Sequence, residues 1–366
     1  MSLAIAFTQP AARARLGLLL FALAVLVAPW VAGHTGGNAW VRMLDFALLY
    51  LMLALGLNIV VGYAGLLDLG FIAFYALGAY LAALLASPHL LTQFPALAAW
   101  LPAGLHTSIW LVVPLAALLA AGLGMLLGAP TLRLRGDYLA IVTLGFGEII
   151  RIVMRNLDRP VNITNGSKGI ASVDPLHLFG VNLGRTQELF GIKLPSVYLY
   201  YYLFAALAVL ILLACLRLQQ SRIGRAWMAI RDDEDAAAAM GLDTRKLKLL
   251  AFAIGASFGG VAGAMFASFQ GFVSPESFTL NESIAVLAMV VLGGMGHIPG
   301  VVLGCLLLAA LPEVLRASMS SLQHWLFGQV LVDPEIVRQL FYGLALILVM
   351  LYRPAGLWPA RQESQQ

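Results

Sequence analysis

Ten apolar runs, most of them close to the length that crosses a bilayer, recur along a chain of 366 residues. They fall near 16–33, 44–61, 66–86, 107–128, 138–156, 196–216, 249–270, 284–295, 299–316 and 337–352. A spanning helix needs about 20 mostly apolar residues. The reading is an all-α polytopic transmembrane helical bundle of about ten spans, one domain over 1–366. Composition agrees: 61% of residues are apolar and 11% charged, against about a quarter charged in soluble domains. That excludes an ordinary soluble enzyme, a disordered chain and a coiled coil.

Two runs are irregular. The run 284–295 is too short to cross alone and is expected to be half-spanning, tilted or extended from Glu282. The segment 92–105 carries Pro95 and Pro102 and is expected to be interfacial or re-entrant. The first run follows Arg13 and Arg15 and reaches Trp30, so it reads as a retained span rather than a cleaved signal. Cys215 and Cys305 both sit in apolar runs and read as small buried side chains. A net charge of +4 is too small to point to nucleic acid.

Sidedness follows from the basic residues. With Arg13 and Arg15 inside, ten spans place 62–65, 129–137, 217–248, 293–298 and the tail from Arg353 in the cytoplasm. Together with Arg13 and Arg15 those stretches hold thirteen of the 22 Lys and Arg, seven of them in 217–248. Both termini are then cytoplasmic. The outer loop 157–195, with Asn162, Thr164, Asn165, Gly166 and Asp174–Pro175, is expected to be ordered by turns.

No GxxxxGK[ST] motif occurs in the chain, so energy by that route must come from elsewhere. Gly293-Gly294-Met295-Gly296-His297 lacks the residues of a phosphate cradle and reads as a tight helix connection. Gly255-Ala256-Ser257-Phe258-Gly259 matches GxSxG, but it lies inside an apolar helix where no nucleophile elbow can form. The six histidines fall in loops or at span ends, so Ser257 has no base and no catalytic residue is expected. Gly255, Gly259 and Gly263 instead form GxxxGxxxG, a close helix crossing. Charges within spans are costly. Glu148 and Arg151, three apart, are expected to pair. Asp45, Asp68 and Glu282 are expected at solvated span ends, and Asn58 is a neutral polar candidate for pathway or packing. No metal or cofactor site is expected.

The loop 217–248 is the most polar stretch. Asp232-Asp233-Glu234-Asp235 opens a helix at its positive end, four alanines propagate it, and Gly241 closes it with a left-handed cap. Asp243 or Thr244 caps the next helix. A short helix with a slim alanine face should thus project into the cytoplasm. It is either a solvated loop or a docking element for a partner.

Here the sequence resembles the permease subunits of ABC importers, whose cytoplasmic coupling loop has an acidic residue, two alanines and a later glycine. Glu234 or Asp235, Ala236, Ala237 and Gly241 stand in those places. Gly56-Leu57-Asn58, Gly62-Tyr63-Ala64-Gly65-Leu66, the run Arg135-Gly136-Asp137-Tyr138-Leu139-Ala140 through Glu148, Ser221-Arg222-Ile223-Gly224-Arg225-Ala226, Gly293-Gly294-Met295-Gly296 and Arg353-Pro354-Ala355-Gly356-Leu357 extend the likeness over roughly 45–360. Together they resemble the LivM-type permeases of branched-chain amino acid importers. Thr164-Asn165-Gly166 and His297-Ile298-Pro299 depart from that pattern. The resemblance implies a bacterial inner-membrane assembly of lipid-embedded permeases, this chain beside a second homologous one. Two cytoplasmic ATP-binding subunits would drive it and a periplasmic binding protein would deliver substrate. Related permeases for urea or short amides, and a stand-alone secondary transporter, remain open alternatives; the latter would need midplane carboxylates.

The inside placement of 217–248 is checked by a single cysteine at Asp235. An impermeant thiol reagent applied to intact cells should leave Asp235→Cys unlabelled; strong labelling from outside would reverse the topology.

Overall fold

A computed structural model describes residues 25–94, 107–131, 134, 136–178, 180–189 and 192–327, with scattered positions between 336 and 358. Helix α1 spans Asn38–Asn58 and runs on into a π turn, Ile59–Tyr63. After a non-helical stretch over 64–71 come α2 (Ile72–Leu85) and the single-turn α3 (His89–Gln93). Then follow α4 (Ile109–Thr131) and α5 (Asp137–Asn156). The next segment carries five two- or three-residue strands, β1 (Ile170–Ala171), β2 (His177–Leu178), β3 (Val181–Asn182), β4 (Gln187–Leu189) and β5 (Ile192–Leu194). Helix α6 (Ser196–Gln220) leads to two short helices, α7 (Arg222–Asp232) and α8 (Glu234–Ala239). The long α9 (Thr244–Gln270) is followed by β6 (Phe272–Val273), α10 (Leu280–Gly293) and α11 (Ile298–Phe327).

Five helices among the described residues are long and apolar enough to cross a membrane: Asn38–Tyr63, Trp110–Thr131, Ser196–Gln220, Thr244–Gln270 and Pro275–Gly293. Shorter apolar helices occupy Ile72–Leu85 and Ile298–Val314. The helical bundle is therefore as expected, whereas ten full spans are not what the described residues form. The run 66–86 divides into the stretch 64–71 and a helix of 14 residues. The run 138–156 is helical, but Asp137, Glu148, Arg151 and Arg155 make it less apolar than a spanning segment. The short run 284–295 gains length at its start, beginning with a turn at Pro275. The run 16–33 is described from residue 25 and is helical there, over 25–36; much of 337–352 and most of 92–105 lie outside the described residues.

Helix α1 is the centre of the bundle. From Leu51 through Ala64 every residue is buried, as an all-round apolar helix must be when other protein surrounds it. Helices α6, α9, α10 and α11 pack against it. Helix α9 crosses α1, α2 and α4, and its glycines set those crossings. A Cβ at Gly255 would come 2.8 Å from the Gly56 carbonyl oxygen; at Gly260, 2.5 Å from that of Ala116; at Gly263, into the backbone of Tyr75 and Ala79. Gly259 is less crowded, 3.1 Å from Phe74 Cβ. The GxxxGxxxG stripe thus serves two different neighbours, since a helix turns as it crosses. Ser257 donates back to the Ile254 carbonyl within the same helix, at 2.6 Å.

At the end where α9 finishes, β1 pairs antiparallel with β6, Ile170 opposite Val273. The 157–195 segment is built of turns as its composition suggests. Asn165 sits in the left-handed region and is held by Asn162 Oδ1, while its own amide donates to the Gly169 carbonyl at 2.7 Å.

Gly263→Leu should prevent accumulation of folded protein, because its side chain would displace backbone. Gly259→Ala should cost no more than the about 1–3 kcal/mol of ordinary overpacking. Membrane yield and thermal stability of the two variants check this; equal behaviour would refute the assigned crossings.

Candidate functional site

The end of the bundle opposite the β1–β6 ribbon gathers four chain segments: the π turn after α1, the α7–α8 pair, the connection between α10 and α11, and residues 356–358. Local signals position α7 and α8. Ser221 caps α7 by accepting from the Gly224 amide at 3.1 Å. Asp233 ends α7 and caps α8, accepting from the Ala236 amide at 2.9 Å. Helix α8 closes with two crossed backbone bonds, Leu242 N–H to the Ala237 carbonyl at 3.2 Å and Gly241 N–H to that of Ala238 at 3.0 Å. This arrangement needs a left-handed residue at Gly241, and its φ is +88°. Asp243 then caps α9 through the Lys246 amide at 3.1 Å. The nearby ammonium of Lys246 and these hydrogen bonds hold the Asp243 carboxyl below its usual range.

Both short helices rest on the first turn of α9. Trp227 is fully buried and its indole donates to the Leu247 carbonyl at 2.7 Å. Glu234 pairs with Lys248 at 2.6 Å, and Lys248 is itself buried. This fixes which face of α8 points out. Asp235, Ala236, Ala238, Ala239 and Met240 are exposed, while Ala237 is buried within the chain. The expectation that Ala237 belongs to an outward alanine face is therefore corrected. In a helix of six residues, alanines on opposite sides cannot be told apart until its support is known.

The π turn joins this pair to the core. Its amides reach further back than in an α-helix: Ala64 N–H bonds to the Ile59 carbonyl at 3.2 Å and Leu66 N–H to that of Val60 at 3.0 Å. The Gly62 carbonyl accepts instead from Arg231 Nη1 of α7, at 2.6 Å. Asn58, proposed for pathway or packing, turns its side-chain oxygen to the Gly296 amide at 2.8 Å. It thereby ties α1 to the α10–α11 connection. The segment 356–358 closes the far side: Leu357 N–H bonds to the Leu292 carbonyl at 2.8 Å, and His297 Nδ1 donates to that of Trp358 at 2.8 Å. A cleft of about 510 Å³ opens beside these elements, lined by Gly65, Leu67, Asp137, Arg231, Glu234 and Lys248 among others.

Away from this end, Glu148 and Arg151 form the expected ion pair on α5, and Arg151 also reaches Glu276 at 3.3 Å. Two expectations fail. Asp45 is fully buried, with neither carboxylate oxygen hydrogen-bonded, and Asp68 is buried with Oδ1 accepting from the Gly70 amide at 2.8 Å. Neither lies at a solvated end, because Asp45 sits with Val41 and Leu49 on the buried side of α1 and 64–71 folds back into the bundle. Glu282 does bond within the chain, accepting from Tyr50 at 2.7 Å. Among the described residues no cluster of His, Cys, Asp and Glu could hold a metal. The residues sequence reasoning missed are Trp227 and Arg231. Arg231 is one of the seven cations of 217–248, and no local pattern signals a bond to a glycine 169 positions away.

The family model described as "Branched-chain amino acid transport system / permease component" matches residues 40–350. The chain is 43% identical over 354 residues to the high-affinity branched-chain amino acid transport system permease protein LivM of Escherichia coli K12, covering 93% of this chain and 75% of that one. It is 28% identical to the probable LivM of Methanocaldococcus jannaschii over 68% of this chain and 69% of that one. It is also 26% identical, over 84% of this chain and 90% of the other, to the LivH permease of Salmonella typhimurium. No solved structure matches. With most of its length matched, the chain belongs to the family of permease components of branched-chain amino acid transport systems.

Proposed function

We propose that this chain is the transmembrane permease subunit of an ATP-driven importer that carries branched-chain amino acids across the bacterial cytoplasmic membrane. It works as one permease unit with a second homologous permease chain, two cytoplasmic ATP-binding subunits and a periplasmic binding protein. The likeness to both LivM and LivH permeases supports a pair of related but distinct chains. Chemistry is left to the partners, and this chain supplies a path and a mechanical linkage.

The observation that carries the reading is α8: a six-residue helix, capped at both ends, braced on α9 by Glu234–Lys248, with a bare face of Ala236, Ala238, Ala239 and Met240. Met240 is 86% exposed. Small residues flanking one flexible apolar side chain allow another protein to approach closely and to adapt around the sulfur. Glu234, Asp235, Ala236, Ala237 and Gly241 are thus assigned as the coupling loop, with Ala237 as its inner support. ATP-driven closure of the ATPases would move α8 and shift the bundle between outward- and inward-open states.

Two variants test this in cells expressing the complete transporter. Ala238→Arg puts bulk and charge on the docking face, and should release the ATP-binding subunits in a pull-down and abolish labelled leucine uptake while membrane yield stays normal. Gly241→Val forces a β-branched residue into the left-handed cap, a cost on the order of 1–2 kcal/mol, and should lower uptake in part. Retained ATPases and normal uptake in both would defeat the docking role. Uptake that urea competes and leucine does not would reassign the substrate.

A further inference from the structure

We propose that Arg231 is the positioning residue that carries movement of the coupling helices into α1, by holding the π turn through the Gly62 carbonyl. The inference rests on the reading of α7–α8 as the ATPase-docking element.

The geometry is that of a socket. Arg231 is next to last in α7, one turn before α8 begins. Its Nη1 donates to the Gly62 carbonyl at 2.6 Å. Two glycines, Gly65 and Gly296, make room for it, and Gly62 makes room for the Asn58–Gly296 contact beside it. A Cβ at Gly65 would lie 2.6 Å from Arg231 Cγ and 3.4 Å from its Cα; one at Gly296 would lie 3.0 Å from Nη1. One at Gly62 would reach the Gly296 amide at 2.5 Å and crowd Asn58 Oδ1. Gly65 is exposed, so close approach of α7, together with its φ of +69°, explains the missing side chain better than burial does.

The bond also has a physical reason. A helix leaves its last carbonyls without intrahelical partners, and its C-terminal end is the negative end of the dipole. The residues of the π turn are buried, and the part-exposed guanidinium of Arg231, which also lies 3.9 Å from the Asp232 carboxylate, supplies the Gly62 carbonyl with its partner. Its planar, permanently charged head holds a direction better than an ammonium can. Through Gly62 the same turn touches Gly296, which Asn58 binds at 2.8 Å. A displacement of α7 is therefore applied to the end of α1 and to the α10–α11 connection together. Trp227 and the Glu234–Lys248 pair bond instead to the start of α9.

The test uses the complete transporter in liposomes, with binding protein and leucine inside the donor compartment, and reads ATPase retention, ATP hydrolysis and uptake. Arg231→Gln should keep the ATPases and hydrolyse ATP while uptake per ATP falls about tenfold, the weight of one hydrogen bond to a charged group. Arg231→Lys, which can still donate to the carbonyl, should recover part of that ratio. An unchanged ratio in Arg231→Gln overturns the proposal, as does loss of the ATPases in step with uptake, which would make Arg231 a docking contact. Ala238→Arg in the same assay separates the two readings: if it keeps the ATPases and uptake, the docking role fails; if it loses them while Arg231→Gln keeps its ratio, only the role of Arg231 fails. A second measurement leaves Arg231 intact. Spin labels on Asp232→Cys and Leu67→Cys should keep one distance in the nucleotide-free and ATP-trapped complex, and a change between the two states overturns the proposal.

Discussion

The structure depends on how one buried helix ends. From Leu51 onward helix α1 is enclosed by protein until it stops in the π turn at Tyr63. The residues of that turn are buried, and a buried carbonyl without a partner costs about 1–3 kcal/mol. The bundle answers by bringing distant groups to that point: the Leu66 amide by a wide turn, and the Arg231 guanidinium across 169 residues. Asn58, one residue before the turn, performs the complementary service for the Gly296 amide. Three separate segments thus become one hydrogen-bonded unit because none of them can be satisfied alone.

Close packing follows from the same economy of space. Helices α10 and α11 meet where Gly293, Gly300 and Gly304 leave no room for side chains, a Cβ at Gly304 falling 2.7 Å from the Gly293 amide. The 356–358 segment lies across that meeting point. Helix α9, the neighbour of α1, α2 and α4 alike, starts where α7 and α8 are braced. The element assigned to meet the ATPases is therefore mounted on two load paths, α9 and the end of α1. A bilayer-embedded bundle has little hydrophobic drive to hold helices together, so such polar and glycine-to-backbone contacts decide its geometry.

Much of this was legible in sequence where the cause is local. Capping depends on residues within one turn, so the Asp-rich start of α8, its Gly241 stop and a cap at Asp243 or Thr244 are readable in the loop 217–248, and the structure selects Asp243. The glycine stripe of α9 was readable because small residues at a four-residue spacing have few other uses in lipid. What was not legible depends on tertiary placement. Asp45 and Asp68 read as interfacial because hydropathy reports the ends of apolar runs and not whether protein encloses them. Ala237 reads as outward because the brace that turns it inward, the Glu234–Lys248 pair, needs a residue of the following helix. Asn58 read as a polar candidate without a partner, since Gly296 is 238 positions away. The run 66–86 read as one span because the apolar stretch 64–71 gives no sign that its backbone turns inside the bundle.

Amide hydrogen exchange on the membrane-embedded protein tests the central claim, that the end of α1, the α10–α11 connection and α7 form one unit. The Gly296 and Leu66 amides should exchange as slowly as those in the middle of α1, and Asn58→Leu should release Gly296 while leaving Leu66 protected. Exchange of both amides at the rate of an open loop in the unaltered protein would contradict the account.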